Sequence, residues 1–218
     1  TGSIGYASTN LSPVTGTLNE TLSNTTSTQQ VVTYTFTTTA NGCTPVVTNT
    51  TVTVYPTPVF TNVPAALTIC SGTALNFVPL SDVGGATFSW TSSGGANITG
   101  ESASGSGSIT DVLVNTGNAI ETMVYTITVT GPGPLNCVNA TTQNYTVTVN
   151  PPVVQTITNN ALTVCEGLPI DIDYTSPTAN AVMTVTGSYP AGVTGSIGYA
   201  STNLSPVTGT LNETLSNT

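Results

Sequence analysis

The sequence contains no lysine, no arginine and no histidine, and its charged side chains are nine acidic residues that give a formal net charge of -9. Without cationic side chains the chain cannot displace counterions from phosphate groups, which excludes nucleic-acid binding and a basic membrane-binding patch. Without histidine it has no imidazole base for a Ser-His-Asp or Cys-His site and no nitrogen ligand for zinc. A Schiff-base lysine and a P-loop lysine are excluded in the same way.

Charge is scarce overall, since charged residues make up only 4% of the chain while hydrophobic residues make up 38%. A disordered tail has few hydrophobic residues, so this composition is that of a chain that can bury a core. The sequence is rich in threonine, a β-branched residue that packs well on a pleated surface and loses rotamer freedom in helices. It has no apolar run of about 18 residues, the minimum for a membrane helix. The composition therefore predicts an all-β fold.

An internal repeat defines the organisation of the chain. Residues 1–25 recur without a change at 194–218, an offset of 193 residues. Twenty-five identical positions cannot arise by chance. They indicate a tandem repeat, so we expect this sequence to be an excerpt of a longer protein.

A finer and more divergent repeat lies inside the long one, with an offset of 95 residues. The segment 66–72 (ALTICSG) matches 161–167 (ALTVCEG), and 51–56 (TVTVYP) matches 146–151 (TVTVNP). Each 193-residue repeat therefore contains two modules. Arrays of this kind build extended proteins from units that contact their neighbours.

Cutting the chain after each TVTV-x-P motif predicts the domain boundaries. Residues 55–150 form one complete module, and a second module is divided between the two ends of the sequence. Residues 1–54 are the C-terminal part of such a module, and 151–218 are the N-terminal part of the next one. Half a sandwich would expose its core and open strand edges, which favours a continuous array.

The central module has the period-2 alternation of apolar and polar residues that is typical of half-buried strands. The pattern predicts an immunoglobulin-like sandwich in which Tyr125, Ile127 and Val129 share one face, as Tyr34 and Phe36 do in the sister module. Trp90 is interpreted as a core residue rather than a sugar-stacking platform. About seven strands are expected, near 57–62, 66–69, 74–80, 86–92, 109–115, 122–130 and 142–149.

The order LTICSG, TFSWT, VYTITVT and YTVTVNP resembles the PKD-like and immunoglobulin-like modules of giant secreted Bacteroidota surface proteins, including gliding-motility adhesins. The most distinctive segments are Cys70-Ser71-Gly72 and Asn41-Gly42-Cys43. One departure is that 90–94 (WTSSG) replaces the aromatic-Asp-Phe-Gly-Asp loop of better known PKD modules, so no function of that loop is transferred. The resemblance implies a secreted, non-catalytic repeat on the cell surface.

The four cysteines occur two to a module, and their spacing never approaches the CxxC of a metal site. In a secreted chain this usage indicates disulfides. Pairing Cys70 with Cys137 is one possibility. In an immunoglobulin-type sandwich, however, these two lie in loops at opposite ends, roughly 20 to 25 Å apart. Cα atoms joined by a disulfide lie within about 7 Å of each other.

Opposite ends meet across a module boundary, which predicts a disulfide between domains. In this hypothesis Cys70 pairs with the next copy of Cys43, and Cys165 pairs with the next copy of Cys137. The partners then lie outside this sequence. Pairing of Cys70 with Cys137, and free thiols, remain the alternatives.

No catalytic or cofactor site is predicted, because the nine carboxylates are too scattered to suggest an acid/base pair. Asp171 and Asp173 project from one face of a predicted strand and are weak candidates for a calcium site. Calcium takes six to eight oxygen ligands, and no acidic loop supplies the others. We therefore predict no metal.

The function predicted from the sequence is the stalk or filament of a giant secreted cell-surface adhesin, serving gliding motility or surface attachment. Its partners are the neighbouring modules of the same chain; cell-surface motility or secretion machinery, external surfaces and polysaccharide are further partners. One alternative is a polysaccharide-binding module of a secreted protein. Another is a subunit of a self-assembling extracellular filament.

Overall fold

The computed structural model describes residues 15–161, 163–195, 199–201 and 207–217. This part of the chain consists of strands and loops without a helix, so the predicted all-β, immunoglobulin-like sandwich fold is confirmed. Within it there is consequently no helix that is long and apolar enough to cross a membrane. The chain divides into two compact units, Thr1–Pro56 and Thr57–Thr218. Residues 1–14 of the predicted first segment lie outside the described residues.

The first unit is built around one β-hairpin. Strand β1 (Gln30–Thr38) pairs antiparallel with β2 (Val46–Val54) over nine residue pairs, from Gln30 opposite Val54 to Thr38 opposite Val46. The connecting loop contains Asn41 and Gly42 with positive φ angles of 46° and 72°. Asn-Gly suits this turn because both positions require the left-handed region.

The second unit begins with the central sandwich, which has two sheets. The first sheet has the order β3-β10-β9-β5-β7, and the second has the order β4-β8-β6. The strands are β3 (Leu67–Cys70), β4 (Thr73–Ala74), β5 (Thr87–Gly94), β6 (Ile98–Thr99), β7 (Ser104–Ser106), β8 (Val112–Asn115), β9 (Glu121–Thr130) and β10 (Gln143–Asn150).

The hairpin β9–β10 is the centre of this sandwich. Strand β10 pairs antiparallel with β9 on one side and parallel with β3 on the other, while β9 also pairs with β5. Every second residue of β9 is buried, which confirms that Tyr125, Ile127 and Val129 share the inner face. The core consists of Ile69, Leu75, Trp90, Ile98, Ile109, Leu113, Met123, Tyr125, Ile127, Tyr145, Val147 and Val149.

Two of the expected strands are much shorter than predicted. The segment 57–62 contributes only an isolated bridge from Phe60 to Ser81, and 74–80 contributes Thr73–Ala74 and a bridge from Phe77 to Ile109. Pro58 and Pro79 lie in these segments, and a proline has no N–H to donate to a ladder. Two short strands that the pattern did not predict, β6 and β7, complete the sandwich.

Residues 151–217 form smaller sheets in the same unit. Three strands pair in the order β11-β12-β16, and two-stranded pairs join β13 to β15 and β14 to β17. A small core holds Tyr174, Met183 and Val207. The strands are β11 (Thr156–Ala161), β12 (Pro169–Ser176), β13 (Met183–Val185), β14 (Val193–Thr194), β15 (Tyr199–Ser201), β16 (Val207–Thr214) and β17 (Ser216–Asn217).

Candidate functional site

Two cysteines mark the two ends of the central sandwich. Cys70 ends β3 and lies opposite Asn150, the last residue of β10, so it is exposed where the chain leaves the module. Cys137 is half-buried in the loop after β9, where its carbonyl accepts a hydrogen bond from the Gly131 amide (2.8 Å). The same loop is tied to the start of the module, because the Asn139 Nδ2 atom donates to the Pro58 carbonyl (2.8 Å).

The length of β9 separates these two cysteines. Its first residue, Glu121, pairs with Val149 beside Cys70, and its last residue, Thr130, bridges to Val138 beside Cys137. Ten strand residues at about 3.3 Å each span roughly 30 Å, whereas a disulfide needs Cα atoms within about 7 Å. The register therefore does not allow a disulfide between Cys70 and Cys137 within one sandwich.

The other two cysteines are also exposed in turns. Cys43 directly follows the Asn41-Gly42 turn at the tip of the β1–β2 hairpin, and its amide donates to the Ala40 carbonyl (2.9 Å). Cys165 lies between β11 and β12, where its carbonyl accepts a hydrogen bond from the Leu168 amide (3.1 Å). None of the four cysteines is paired with another in the structure, and the disulfide between domains stays a prediction.

Asp171 and Asp173 lie on β12 at alternate positions, so they share one face of the strand. Asp173 accepts a hydrogen bond from the Thr210 hydroxyl of β16 (2.6 Å). Asp171 lies opposite Asn212 in the ladder. Among the described residues no group of three or more histidine, cysteine or acidic side chains could hold a metal ion. The two aspartates therefore gain no further ligand from this side-chain class in the described part of the chain.

A buried phenol and a carboxylate meet inside the central sandwich. The Tyr125 hydroxyl donates to Asp111 Oδ2 (2.7 Å), and burial together with this hydrogen bond raises the pKa of Tyr125. In the first unit the Tyr34 hydroxyl donates to Glu20 Oε2 (2.6 Å), and this hydrogen bond raises the pKa of Tyr34. A raised pKa keeps the phenol protonated as a donor, so both pairs act as structural hydrogen bonds.

Other carboxylates also serve as hydrogen-bond acceptors for the fold. Asp82 accepts from the Val59 amide (2.7 Å), and Glu121 accepts from Asn97 Nδ2 (2.7 Å). These contacts tie loops to the sandwich.

An open groove of about 430 Å³ crosses the first sheet at β5, β7 and β9. Trp90 lies at its floor but is only 6% exposed, with its ring edge-on to Tyr125 at a centroid distance of 5.4 Å. Trp90 is thus a core residue, as predicted. The groove offers hydroxyl groups rather than charge, from Ser89, Thr91, Ser104, Ser106, Thr126 and Thr128.

One buried polar residue was not predicted from the sequence. Asn115 is 1% exposed, and its Nδ2 atom donates to the carbonyls of Ala119 (2.7 Å) and Val149 (3.0 Å). Its Oδ1 atom accepts from the Gly117 amide (2.9 Å). Asn24 makes the corresponding bonds in the first unit. The available signal was an Asn-Thr pair at 24–25 and again at 115–116, in each case six residues before the first strand of a hairpin.

Comparison with known proteins identifies one family in the central module. Residues 67–153 match the model of a family described as a PKD-like domain. The match begins at β3 and extends three residues past β10, so the chain contains a PKD-like domain that coincides with most of the central sandwich. No curated protein matches the chain.

Proposed function

We propose that this chain is part of the structural stalk of an extracellular cell-surface protein, built from PKD-like modules in series. The observation that carries the proposal is the direction of the chain through the central sandwich. It enters beside Pro58 at the end marked by Cys137 and leaves beside Asn150 at the end marked by Cys70. Modules that are entered at one end and left at the other extend a protein when they are repeated.

The proposal includes the domain boundaries read from the repeat. Residues 55–150 are one module, 1–54 end another, and 151–218 begin a third. The junction after the central module is stiff rather than flexible, since Pro151 and Pro152 follow Asn150 directly and Pro151 is buried. Thr178 accepts a hydrogen bond from the Val154 amide (2.9 Å) and donates one to the Pro152 carbonyl (3.1 Å), which holds the start of the next module.

The strand arrangement suits a module that carries tension. Leu67–Cys70 runs parallel to the last strand of the sandwich, pairing with residues 147–150. Pulling the entry and exit of the module apart shears all the hydrogen bonds of this ladder at once instead of opening them one by one. Because the chain has no lysine, it cannot form a Lys-Asn isopeptide cross-link, so sheet hydrogen bonds and disulfides carry the load.

Disulfides between modules are the second part of the proposal. Cys70 pairs with the next copy of Cys43, and Cys165 pairs with the next copy of Cys137. Support comes from the exposure of Cys70 at the exit of its module and of Cys43 at a hairpin tip. Each bond forms when two thiols lose two protons and two electrons to a thiol–disulfide oxidoreductase, which is reduced in turn.

A finer version of the proposal assigns the stalk to a giant adhesin that serves gliding motility or surface attachment, with cell-surface motility or secretion machinery as its partner. PKD-like domains typically occur in extracellular or surface proteins and are generally non-catalytic, which supports this assignment. In the alternative of a self-assembling filament, neighbouring chains take the place of neighbouring modules.

A second candidate function is polysaccharide binding, which the hydroxyl-lined groove at β5, β7 and β9 favours. Neutral hydroxyl groups can hydrogen-bond sugars without charge. The buried indole of Trp90, however, cannot present its face to a sugar ring in the way that stacking requires.

One set of measurements separates these functions. A protein of two complete 193-residue repeats is tested for binding to a panel of immobilised polysaccharides and, in parallel, for its dimensions by small-angle X-ray scattering. The stalk predicts elongated particles without polysaccharide affinity. Saturable binding that Thr126→Ala and Thr128→Ala abolish would instead support the second candidate. Peptide mapping without reduction of the same protein tests the disulfides: a linked pair of Cys70 and the next Cys43 is expected, and a peptide linking Cys70 to Cys137 would contradict it.

A further inference from the structure

The β1–β2 hairpin has an apolar face that the described part of the first unit leaves uncovered. Within the described residues the two strands pair only with each other, so both outer edges of the hairpin are open. Cross-strand partners place Val32 with Val52 and Phe36 with Thr48 on the face that carries Tyr34. Phe36 is 50% exposed and Val52 is 42% exposed, which is unusual for apolar residues on one face of a hairpin.

The same hairpin occurs in the central sandwich with the same register. Gln30 lies opposite Val54 in the first unit, and Glu121 lies opposite Val149 in the central sandwich. The offset of 95 between Val54 and Val149 is that of the sequence repeat. Residues 30–38 and 46–54 therefore correspond to 121–129 and 141–149.

Two hydrogen-bond networks confirm this correspondence. Asn24 Nδ2 donates to the carbonyls of Thr28 (2.8 Å) and Val54 (2.9 Å), as Asn115 does to those of residues 119 and 149. The Tyr34 hydroxyl bonds to Glu20 as the Tyr125 hydroxyl bonds to Asp111. The hairpin and the segment before it are thus folded as they are in a complete sandwich.

In the complete sandwich this hairpin is covered on its inner face and paired on both edges. Ile127 and Val147, the counterparts of Phe36 and Val52, are fully buried. Strand β10 pairs with β3 and strand β9 pairs with β5. Residues 15–56, the described part of the first unit, therefore contain the hairpin of a sandwich without strands paired to its edges.

Residues 151–217 contain the counterparts of those partner strands. The Gly167 amide donates to the Leu215 carbonyl (3.0 Å), as the Gly72 amide donates to the Leu113 carbonyl (2.8 Å). Strand β14 pairs with β17, with Val193 opposite Asn217, as β6 pairs with β8, with Ile98 opposite residue 115. This half-sandwich therefore has the framework that surrounds a hairpin in the central module.

The half-sandwich departs from the complete one where a hairpin would pair with it. Residues 163–165 correspond to 68–70 of β3, yet they are not a strand. Strand β3 obtains its ladder from β10 alone. Because β2 is the counterpart of β10, residues 163–165 can form the corresponding strand only when a copy of β2 pairs with them.

We propose that the hairpin of one repeat closes the half-sandwich 151–217 of the repeat before it. The central module gives the register: the copy of Thr53 lies beside Thr163, that of Val54 beside Val164 and that of Tyr55 beside Cys165, in a parallel ladder. The inner face of the hairpin, with Phe36 and Val52, covers the small core of the half-sandwich. This inference rests on the module boundaries of the proposed function and adds the register of the closing ladder, but it does not depend on the role of the array as a stalk.

The proposal also assigns a contact to Glu213, which is 8% exposed and is the repeat copy of Glu20. Its Oε1 atom accepts from the Tyr189 hydroxyl (2.6 Å). In the first unit Tyr34 uses the other oxygen, Oε2, of Glu20. A carboxylate can accept at both oxygens, so the copy of Tyr34 bonds to Glu213 Oε2 while Tyr189 keeps Oε1.

The test extends the full 218-residue chain at its C-terminus with a copy of residues 26–55. Hydrogen–deuterium exchange is then measured for the amides of Val164 and Glu166. These are the counterparts of Ile69 and Ser71, whose N–H groups point toward β10, as the bond from the Ser71 amide to the Asn150 carbonyl (3.0 Å) shows. We expect their exchange to slow by about 100-fold or more relative to the unextended chain, because a ladder now protects them. Fluorescence of Trp90 confirms in each sample that the central module is folded.

A matched control carries threonine in place of the copies of Phe36 and Val52, which keeps β-branched or small polar residues on the strands but removes the apolar face. We expect no slowing of exchange in this control. Equal exchange in the extended and unextended chains would overturn the proposal, and so would equal protection in the control. Protection that appears only as protein concentration rises would overturn closure within one chain and indicate pairing between chains instead.

Discussion

Replacing Asn115 by alanine tests whether one buried amide fastens the central hairpin to the loop before it. The side chain makes three hydrogen bonds, to the carbonyls of Ala119 and Val149 and to the amide of Gly117. Val149 is fully buried, so water cannot replace the lost partner at its carbonyl. A lost hydrogen bond costs about 1 kcal/mol net, and an unsatisfied buried group costs about 1 to 3 kcal/mol.

Two lost bonds and one unsatisfied buried carbonyl, that of Val149, sum to a loss of about 3 to 5 kcal/mol in the free energy of unfolding for Asn115→Ala. Urea denaturation followed by the fluorescence of Trp90 measures it, because this single tryptophan reports on the central module alone. With a urea m-value of about 1 kcal/mol/M for a module of this size, the midpoint falls by about 3 to 5 M. If the free energy of unfolding of the unsubstituted module is smaller than this loss, the Asn115→Ala variant is unfolded without urea.

Two further variants separate the hydrogen bonds from the loss of side-chain volume. Asn115→Asp keeps the size and the acceptor but removes both donors and places a carboxylate against two carbonyl oxygens, so it is expected to be at least as destabilising as alanine. Asn144→Ala is the matched control: Asn144 is exposed and accepts only from the Thr126 hydroxyl (3.2 Å), so the change is about 0.5 kcal/mol or less. A stable Asn115→Asp variant, or equal effects at positions 115 and 144, would refute the reasoning.

Three other predictions concern the same fold. Burial raises the pKa of Tyr125, so the contribution of this phenol to stability is complete below about pH 10, where the phenol of the unfolded chain ionises, and is lost as the pH rises toward the folded pKa. Tyr125→Phe should therefore flatten the fall of the urea midpoint between about pH 9 and about pH 11. An unchanged slope would contradict this. A Cβ at Gly105 would overlap the indole ring of the only tryptophan. Gly105→Ala should therefore cost about 1 to 3 kcal/mol of stability and shift the fluorescence spectrum. In the control Gly84→Ala the added Cβ meets no atom within 4 Å, so neither the stability nor the spectrum should change. In an oxidised protein of two repeats, Cys70→Ser should leave the next copy of Cys43 as a newly reactive thiol, and an unchanged thiol count would contradict the proposed pairing.

The long strands could be predicted from the sequence because their alternation is local. The segments 122–130 and 142–149 agree with Glu121–Thr130 and Gln143–Asn150 to within one residue at each end. Every second position there is buried on one face, and the sequence shows this as a period of two. The predicted strands 57–62 and 74–80 are too long because the alternation of apolar and polar residues takes no account of the missing N–H of a proline.

The polar contacts could not be predicted because they join distant residues. Asn115 is bonded to a carbonyl 34 positions along the chain, and Tyr125 to a carboxylate 14 positions away. The alternation of β9 predicts that Tyr125 faces inward, but neither it nor the Asn-Thr pair at 115 identifies the distant hydrogen-bond partner. The cysteine positions were inferred from the topology of a sandwich, and the register of β9 and β10 gives the separation of Cys70 and Cys137 directly.

Small-angle X-ray scattering of proteins with one, two and three 193-residue repeats tests the proposed stalk most directly. The long strands, of 8 to 10 residues, give with their loops a module of roughly 40 Å, so each two-module repeat should add roughly 80 Å to the maximum dimension. A linear increase of that size from one to three repeats is the result that we expect. A maximum dimension that grows only with the cube root of the mass, as in a compact particle, would contradict a stalk of modules in series.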